Sequence, residues 1–249
     1  MSNTQKMDLT VGQPFYCLLK FAIPIIIGNL FQLFYTLADS VIVGKTLGTN
    51  ALAAVGSTSI IIYFVFCFIN GLTGGFGICL GQRCGAKDET GMRKSITSAT
   101  VLSIAFSILL TAVCCLLSHQ LISLMQIPQD IAKEAYDYMF VVLLGTGATI
   151  FYNTISNILR ALGDSRTPLY FLVFSSILNI ILDLVFILSF HMGVAGAAWA
   201  TILSQFISAA LSLLVGLKKY PVLHIQLQDF QHLKESLLLH LKTGFQMGF

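Results

Sequence analysis

Two aspartates stand inside apolar sequence: Asp39 near the end of LFQLFYTLADS, and Asp183 at the end of ILNIILD. Each has polar company at helical spacing. At about 100° per residue, Asn29, Gln32, Thr36 and Asp39 fall within an arc of about 80°, with Tyr35 beside it. Asn179 and Asp183 are i,i+4 neighbours, as are Thr201 and Gln205, and Asn153 and Asn157. Two carboxylates, several amides and a hydroxyl make an oxygen-rich set of the kind hard cations choose. A buried carboxylate can instead hold a proton, because desolvation and a neighbouring like charge both favour its neutral form. Either chemistry suits a site that couples to an ion, Na+ or H+. Amides and hydroxyls within a membrane also tie helices together for about 0.6 kcal/mol per pair, so they carry less information than the two acids.

The elements that would hold these residues are membrane helices. The chain is 56% hydrophobic and 10% charged, with mean hydropathy +0.83, against about 25% charged residues in ordinary soluble domains. A hydrocarbon core of roughly 30 Å needs about 20 apolar residues of helix. Six runs qualify, at 18–43, 51–80, 95–118, 136–159, 168–190 and 194–217. The first is too long for a secretory signal and carries Pro24, Asn29, Gln32 and Asp39, so it reads as a retained helix. Alternating ten-residue segments, the mark of a membrane β-barrel, are missing from the pattern.

Basic residues set the expected orientation. Lys6, Arg83, Lys87, Arg93, Lys94, Arg160, Arg166, Lys218, Lys219 and Lys234 lie at the N-terminus or after even-numbered spans. Only Lys45 and Lys133 follow odd-numbered ones. The excess of basic loops marks the cytoplasmic side, which predicts a cytoplasmic N-terminus. Small residues recur at spacing four, as in Gly71/Gly75, Gly77/Gly81, Gly193/Ala197 and Gly196/Ala200, which favours close helix approach. The six cysteines form no CxxC pair and the five histidines are dispersed, so they read as packing residues. The sequence has no candidate metal site beyond the possible Na+ set and no nucleic-acid-binding face. It shows none of the pairings an intramembrane protease uses.

After Lys234 a new apolar stretch, LLLHLKTGFQMGF, runs to Phe249 and is too short to span. Leu241-Lys242 before TGFQMGF echoes Leu19-Lys20 before FAIPIII. The echo predicts a six-helix unit at 1–217, a cytoplasmic linker at 218–236 and the start of a second unit at 237–249. The linker VLHIQLQDFQHL reads equally as an amphipathic surface stretch or a solvated connection.

These residues resemble the multidrug and toxic compound extrusion (MATE) family of cation-coupled exporters. The resemblance rests on LLKFAIPIIIGNLFQLFYTLADSVIVGKTLGTNALAAVG in the first span and LGQRCGAKDETGMRK after the second. RALGDSRTP after the fourth, LNIILD in the fifth and GVAGAAWATILSQ in the sixth complete it. It implies an all-α lobe of six helices from a twelve-helix transporter. Such a transporter alternates its opening between the two sides and exports organic cations or other amphipathic compounds in exchange for Na+ or H+. By motif position it makes Asp39, Asn179, Asp183 and Thr201 the ion-coupling residues. Gln32 and Tyr35 would line the drug-facing side, with Asn153 or Asn157 from the fourth span, and Pro24 would bend the first helix. It implies no cofactor, a bacterial inner membrane, and a second lobe or second copy as partner. Gln246 stands where a proline like Pro24 would be expected. A lipid-linked sugar or polysaccharide flippase shares the broad fold but would want basic residues deep in the spans, where this sequence has none. A receptor or binding protein would have no need of the paired acids.

Overall fold

The computed structural model describes residues 14–231 and 233–248, so Lys6, Asp8 and Phe249 lie outside the described residues. Eight α-helices follow one another: α1 Pro14–Thr46, α2 Thr49–Gly85, α3 Glu89–Leu124, α4 Ala132–Leu144, α5 Thr146–Ala161, α6 Arg166–Leu184, α7 Val194–Lys219 and α8 Lys234–Gly248. A π-helical turn, Val185–Ser189, extends α6. Five of the helices are long and apolar enough to cross a membrane, and α4 with α5 makes a sixth, bent crossing. The chain is an all-α multi-pass membrane protein.

Turn chemistry explains why the helices stop where they do. Gly48 between α1 and α2 has φ +94°, and Gly193 before α7 has φ +60°. Both are backbone states that a Cβ would strain. Asp88 caps α3 by accepting a hydrogen bond from Gly91 N at 2.9 Å, the usual remedy for unpaired amides at a helix start. α1 continues as helix through Pro24, although the proline removes the bond that Lys20 O would accept.

The fourth span differs from the single helix expected over 136–159. It breaks at Gly145, and the two halves diverge by 43°. The space a side chain would occupy at Gly145 is filled by Ile202 of α7, so α7 wedges the span open at its most yielding residue. The small-residue pairs also divide by role. Gly71 and Gly75 lie against the backbone of α8, Gly77 lies against Asn157, and Gly81 has open space beside it. Of the five cysteines described, all free, Cys79 and Cys114 are buried and Cys67 is exposed.

The largest apolar cluster lies where the α2–α3, α5–α6 and α7–α8 connections gather. It joins Leu72, Phe76, Leu80, Ile96, Ile158, Leu159, Tyr220 and Leu223. The connection from α7 to α8 keeps most of its described residues exposed but is pinned at Leu223, Asp229 and Leu233, which are buried. Two 3-10 turns, Pro221–Leu223 and Leu227–Phe230, fold it back onto α3. Arg93 ties it down, Nε donating to Asp229 Oδ1 at 3.2 Å and Nη2 to His224 O at 2.6 Å. Asp164 anchors its root, accepting from Lys219 Nζ at 2.7 Å, Thr167 Oγ1 at 2.7 Å and the Tyr220 hydroxyl at 3.1 Å.

Burial alone would raise the Asp164 carboxyl, but the Lys219 and Thr167 hydrogen bonds outweigh it and hold it below the ordinary carboxylate value. A carboxylate depressed in the folded state stabilises fully above its unfolded value, and that stabilisation is lost as pH falls through the folded value. Asp164→Ala is therefore expected to lower stability by roughly 3 kcal/mol at neutral pH. That is the low end for a broken buried ion pair, because Lys219 is 31% exposed. Thermal melts of the detergent-solubilised protein should also show a shallower loss of stability in acid for the variant. An unchanged melting profile would overturn the anchoring role.

Candidate functional site

A cavity of about 630 Å³ lies between α1, α2 and the α4–α7 group. The polar stripe of α1 forms one wall: Gln32, Tyr35, Thr36 and Asp39 all line it. Thr36 Oγ1 donates to Gln32 O at 2.9 Å and Ser40 Oγ to Thr36 O at 3.0 Å. These hydroxyls therefore leave the amide, phenol and carboxyl as the groups offered to the cavity. α1 holds this wall by packing on α6, where Gly28 lies close to Leu172.

The opposite wall is stitched by hydrogen bonds between helices. Asn179 Nδ2 donates to Thr201 Oγ1 at 3.3 Å, joining α6 to α7, and Thr149 Oγ1 donates to Gln205 Oε1 at 3.0 Å, joining α5 to α7. Thr201 lines the cavity, while Asn179 and Asp183 lie just behind it, 1% and 0% exposed. The carboxyl groups of Asp39 and Asp183 face each other as electrostatic neighbours across the α1–α6 boundary. No hydrogen bond of good geometry reaches Asp39 Oδ1, Asn179 Oδ1 or either oxygen of Asp183. Four buried oxygens from three residues thus have no N–H or O–H donor from the protein, and the two carboxyls, within hydrogen-bonding range of each other, can pair only through a proton or a cation between them. Buried acceptors are nearly always satisfied, and an intramembrane carboxylate is costly. An oxygen-only donor set with unspent lone pairs fits a hard monovalent cation or a proton.

The structure brings Asp39, Asn179, Asp183 and Thr201 into one group, with Gln32, Tyr35 and Asn153 on the cavity wall. It separates the two candidates of the fourth span. Asn153 lines the cavity, whereas Asn157 turns to α2 and donates to Thr73 Oγ1 at 3.2 Å, a packing bond. Asn29, on the same stripe as Asp39, is exposed and does not line the cavity.

Some residues were not legible as site members, two tyrosines among them. Tyr138 and Tyr152 sit seven positions either side of Gly145, and both line the cavity. Tyr138 neighbours Asp39, Tyr35 and Asp183, and Tyr152 neighbours Tyr35. Hydroxyl-bearing rings, one at the start of the fourth span and one in its second half, were the available signal.

The MatE family model matches residues 24–185. The chain is 36% identical to the probable multidrug resistance protein YpnP of Bacillus subtilis (strain 168), over 97% of this chain and 54% of that protein. It is 27% identical to a FAD transporter of Shewanella oneidensis over 78% of this chain and 44% of that one. The outward-facing structure of a multidrug resistance MATE family transporter superposes with TM-score 0.90 at 29% identity, covering 100% of this chain and 55% of that chain. The chain spans about half the length of the curated relatives it matches. With its six crossings and its matched residues taken together, this chain belongs to the MATE (MatE) family.

Proposed function

We propose that this chain supplies the ion-coupling lobe of an antiporter that exports organic, often cationic, compounds in exchange for Na+ or H+. The observation that carries the reading is the set of unpartnered oxygens of Asp39, Asn179 and Asp183 beside a cavity of drug-sized volume. Cation or proton binding there neutralises charge behind the cavity wall and removes the attraction that holds a cationic cargo. Ion and cargo then oppose each other, each weakening the other by the same factor. Pro24, about four turns before Asp39 on the same helix, is the point at which α1 yields when that charge changes. A second six-helix lobe, or a second copy, closes the translocation path. The basic α2–α3, α5–α6 and α7–α8 connections face the cytoplasm of a bacterial inner membrane, with the N-terminus on that side.

Several similar proteins are multidrug resistance proteins by name, and one is a FAD transporter. Among the described residues, the cavity lining has no Lys, Arg or His, which favours cationic or neutral cargo over a pyrophosphate-linked lipid. The reading is tested by reconstituting the natural full-length protein in proteoliposomes and imposing a Na+ or H+ gradient. Efflux of a fluorescent organic cation is expected to follow one of the two gradients. Efflux indifferent to both would overturn it.

A further inference from the structure

A second polar feature leaves the cavity at its floor and is not needed to hold ion or cargo. On α5, Tyr152, Ser156 and Arg160 recur at spacing four, running about 12 Å along the helix toward the α5–α6 connection. Tyr152 is in the cavity wall. Ser156 lies within range of its hydroxyl, without a bond of good geometry, and Arg160 is an electrostatic neighbour of Tyr152. On α7, packed against α5, Ser204, Ser208 and Ser212 repeat the spacing and are all buried. Ser204 donates to Thr201 O within α7 and Ser208 to Phe171 O on α6, so of the three only Ser212 is left with a free hydroxyl.

Three atoms along this seam are buried and unpartnered: Ser156 Oγ, Ser212 Oγ and Arg160 Nε. Ser156 is 2% exposed and Ser212 1%. A serine inside a helix ordinarily returns its proton to a carbonyl three or four residues back, as Ser118 and Ser176 do here. These two do not, and buried hydroxyls without partners are the groups that ordered water satisfies. Pure helix packing would have been served by alanine at both positions.

We propose that the α5–α7 seam from Tyr152 past Ser156 and Ser212 to Arg160 is a water-lined route by which the coupling cation or proton passes between the Asp39–Asp183 site and the cytoplasmic side, within this lobe and apart from the cargo path. The route rests on the ion-coupling reading above. Its inner end is closed in this conformation, where Leu159 and Leu223 crowd Gly216.

The test uses the natural full-length protein with its cysteines replaced, in oriented vesicles during gradient-driven turnover so that every conformation is sampled. Ser156→Cys and, across the seam, Ser212→Cys are compared with Thr154→Cys. Thr154 is 3% exposed, two residues from Ser156, and turned to α3, where it bonds Ser103 at 2.7 Å. A membrane-impermeant thiol reagent attacks the thiolate, which forms where water reaches, so the seam cysteines are expected to react about tenfold faster than Thr154→Cys from the cytoplasmic side. Ser156→Leu is expected to slow ion-driven efflux while leaving the cargo Kd unchanged. Seam cysteines no faster than Thr154→Cys, labelling from the outside alone, or full efflux in Ser156→Leu would each overturn the route. Loss of the ion-coupling reading would register separately, as gradient-driven efflux that survives Asp183→Asn.

Discussion

Asp183→Asn is expected to abolish ion coupling while leaving the fold and the cargo site in place. In the parent protein, saturating Na+ or low pH should weaken cargo binding by a factor on the order of 5–150, the usual range of a coupling energy of 1–3 kcal/mol. In the variant that ratio should fall to about one, and gradient-driven efflux should drop to the rate seen without a gradient. The reasoning is geometric. Asp183 is fully buried and neither of its oxygens is bonded, so its ionised form has no compensation except a bound cation or a proton. An amide has the same shape and cannot carry that charge. Because the amide permanently removes the charge that attracts a cationic cargo, the cargo Kd in the absence of ion should move toward the value the parent protein shows with ion bound. Cargo binding followed by fluorescence at two ion concentrations measures the ratio directly. Undiminished ion-driven efflux would remove Asp183 from the coupling site.

Gly75→Val is expected to have the largest structural effect. A Cβ at Gly75 would stand 2.5 Å from Gly244 Cα and 2.7 Å from its nitrogen, and neither is the movable end of a flexible side chain. α2 and α8 would have to separate over their whole crossing, which Gly71 and Gly248 share. Overpacking of a side chain commonly costs 1–3 kcal/mol, and a backbone-to-backbone clash stands at or above the upper end of that range. Loss of the monodisperse peak in size-exclusion chromatography is the expected result. Gly81→Ala is the matched control on the same helix. Nothing lies within 4 Å of that position, and alanine favours helix by up to about 1 kcal/mol over glycine, so its melting temperature should stay level or rise. Equal behaviour of the two variants would mean that the α2–α8 crossing does not bear on stability.

The crossings were legible because apolar length is a property of contiguous sequence. The site was legible as far as helical spacing reaches: Asn179 with Asp183 and Thr201 with Gln205 each share a face whatever surrounds them. What spacing could not supply is which face meets which. Asn153 and Asn157 are equivalent by period, and only the packing of α5 against α2 sends Asn157 to Thr73 and leaves Asn153 in the cavity. The break at Gly145 was hidden for the same reason. Ile202, which fills the space beside Gly145, lies on another helix. The folded-back connection was missed because Arg93 and Asp229 are 136 residues apart, and the charge pattern alone describes a solvated chain equally well.

The embrace of α8 has a practical consequence for anyone dividing such transporters into parts. Along the chain the natural scissor point is the connection at 218–236, yet in space that segment is bonded to α3, and the helix after it lies against α2 with Ser236 bonded to Ser98. A chimera or split-protein junction placed there would part α2 from the helix whose backbone lies against Gly71 and Gly75, and would leave those two glycines facing an empty groove.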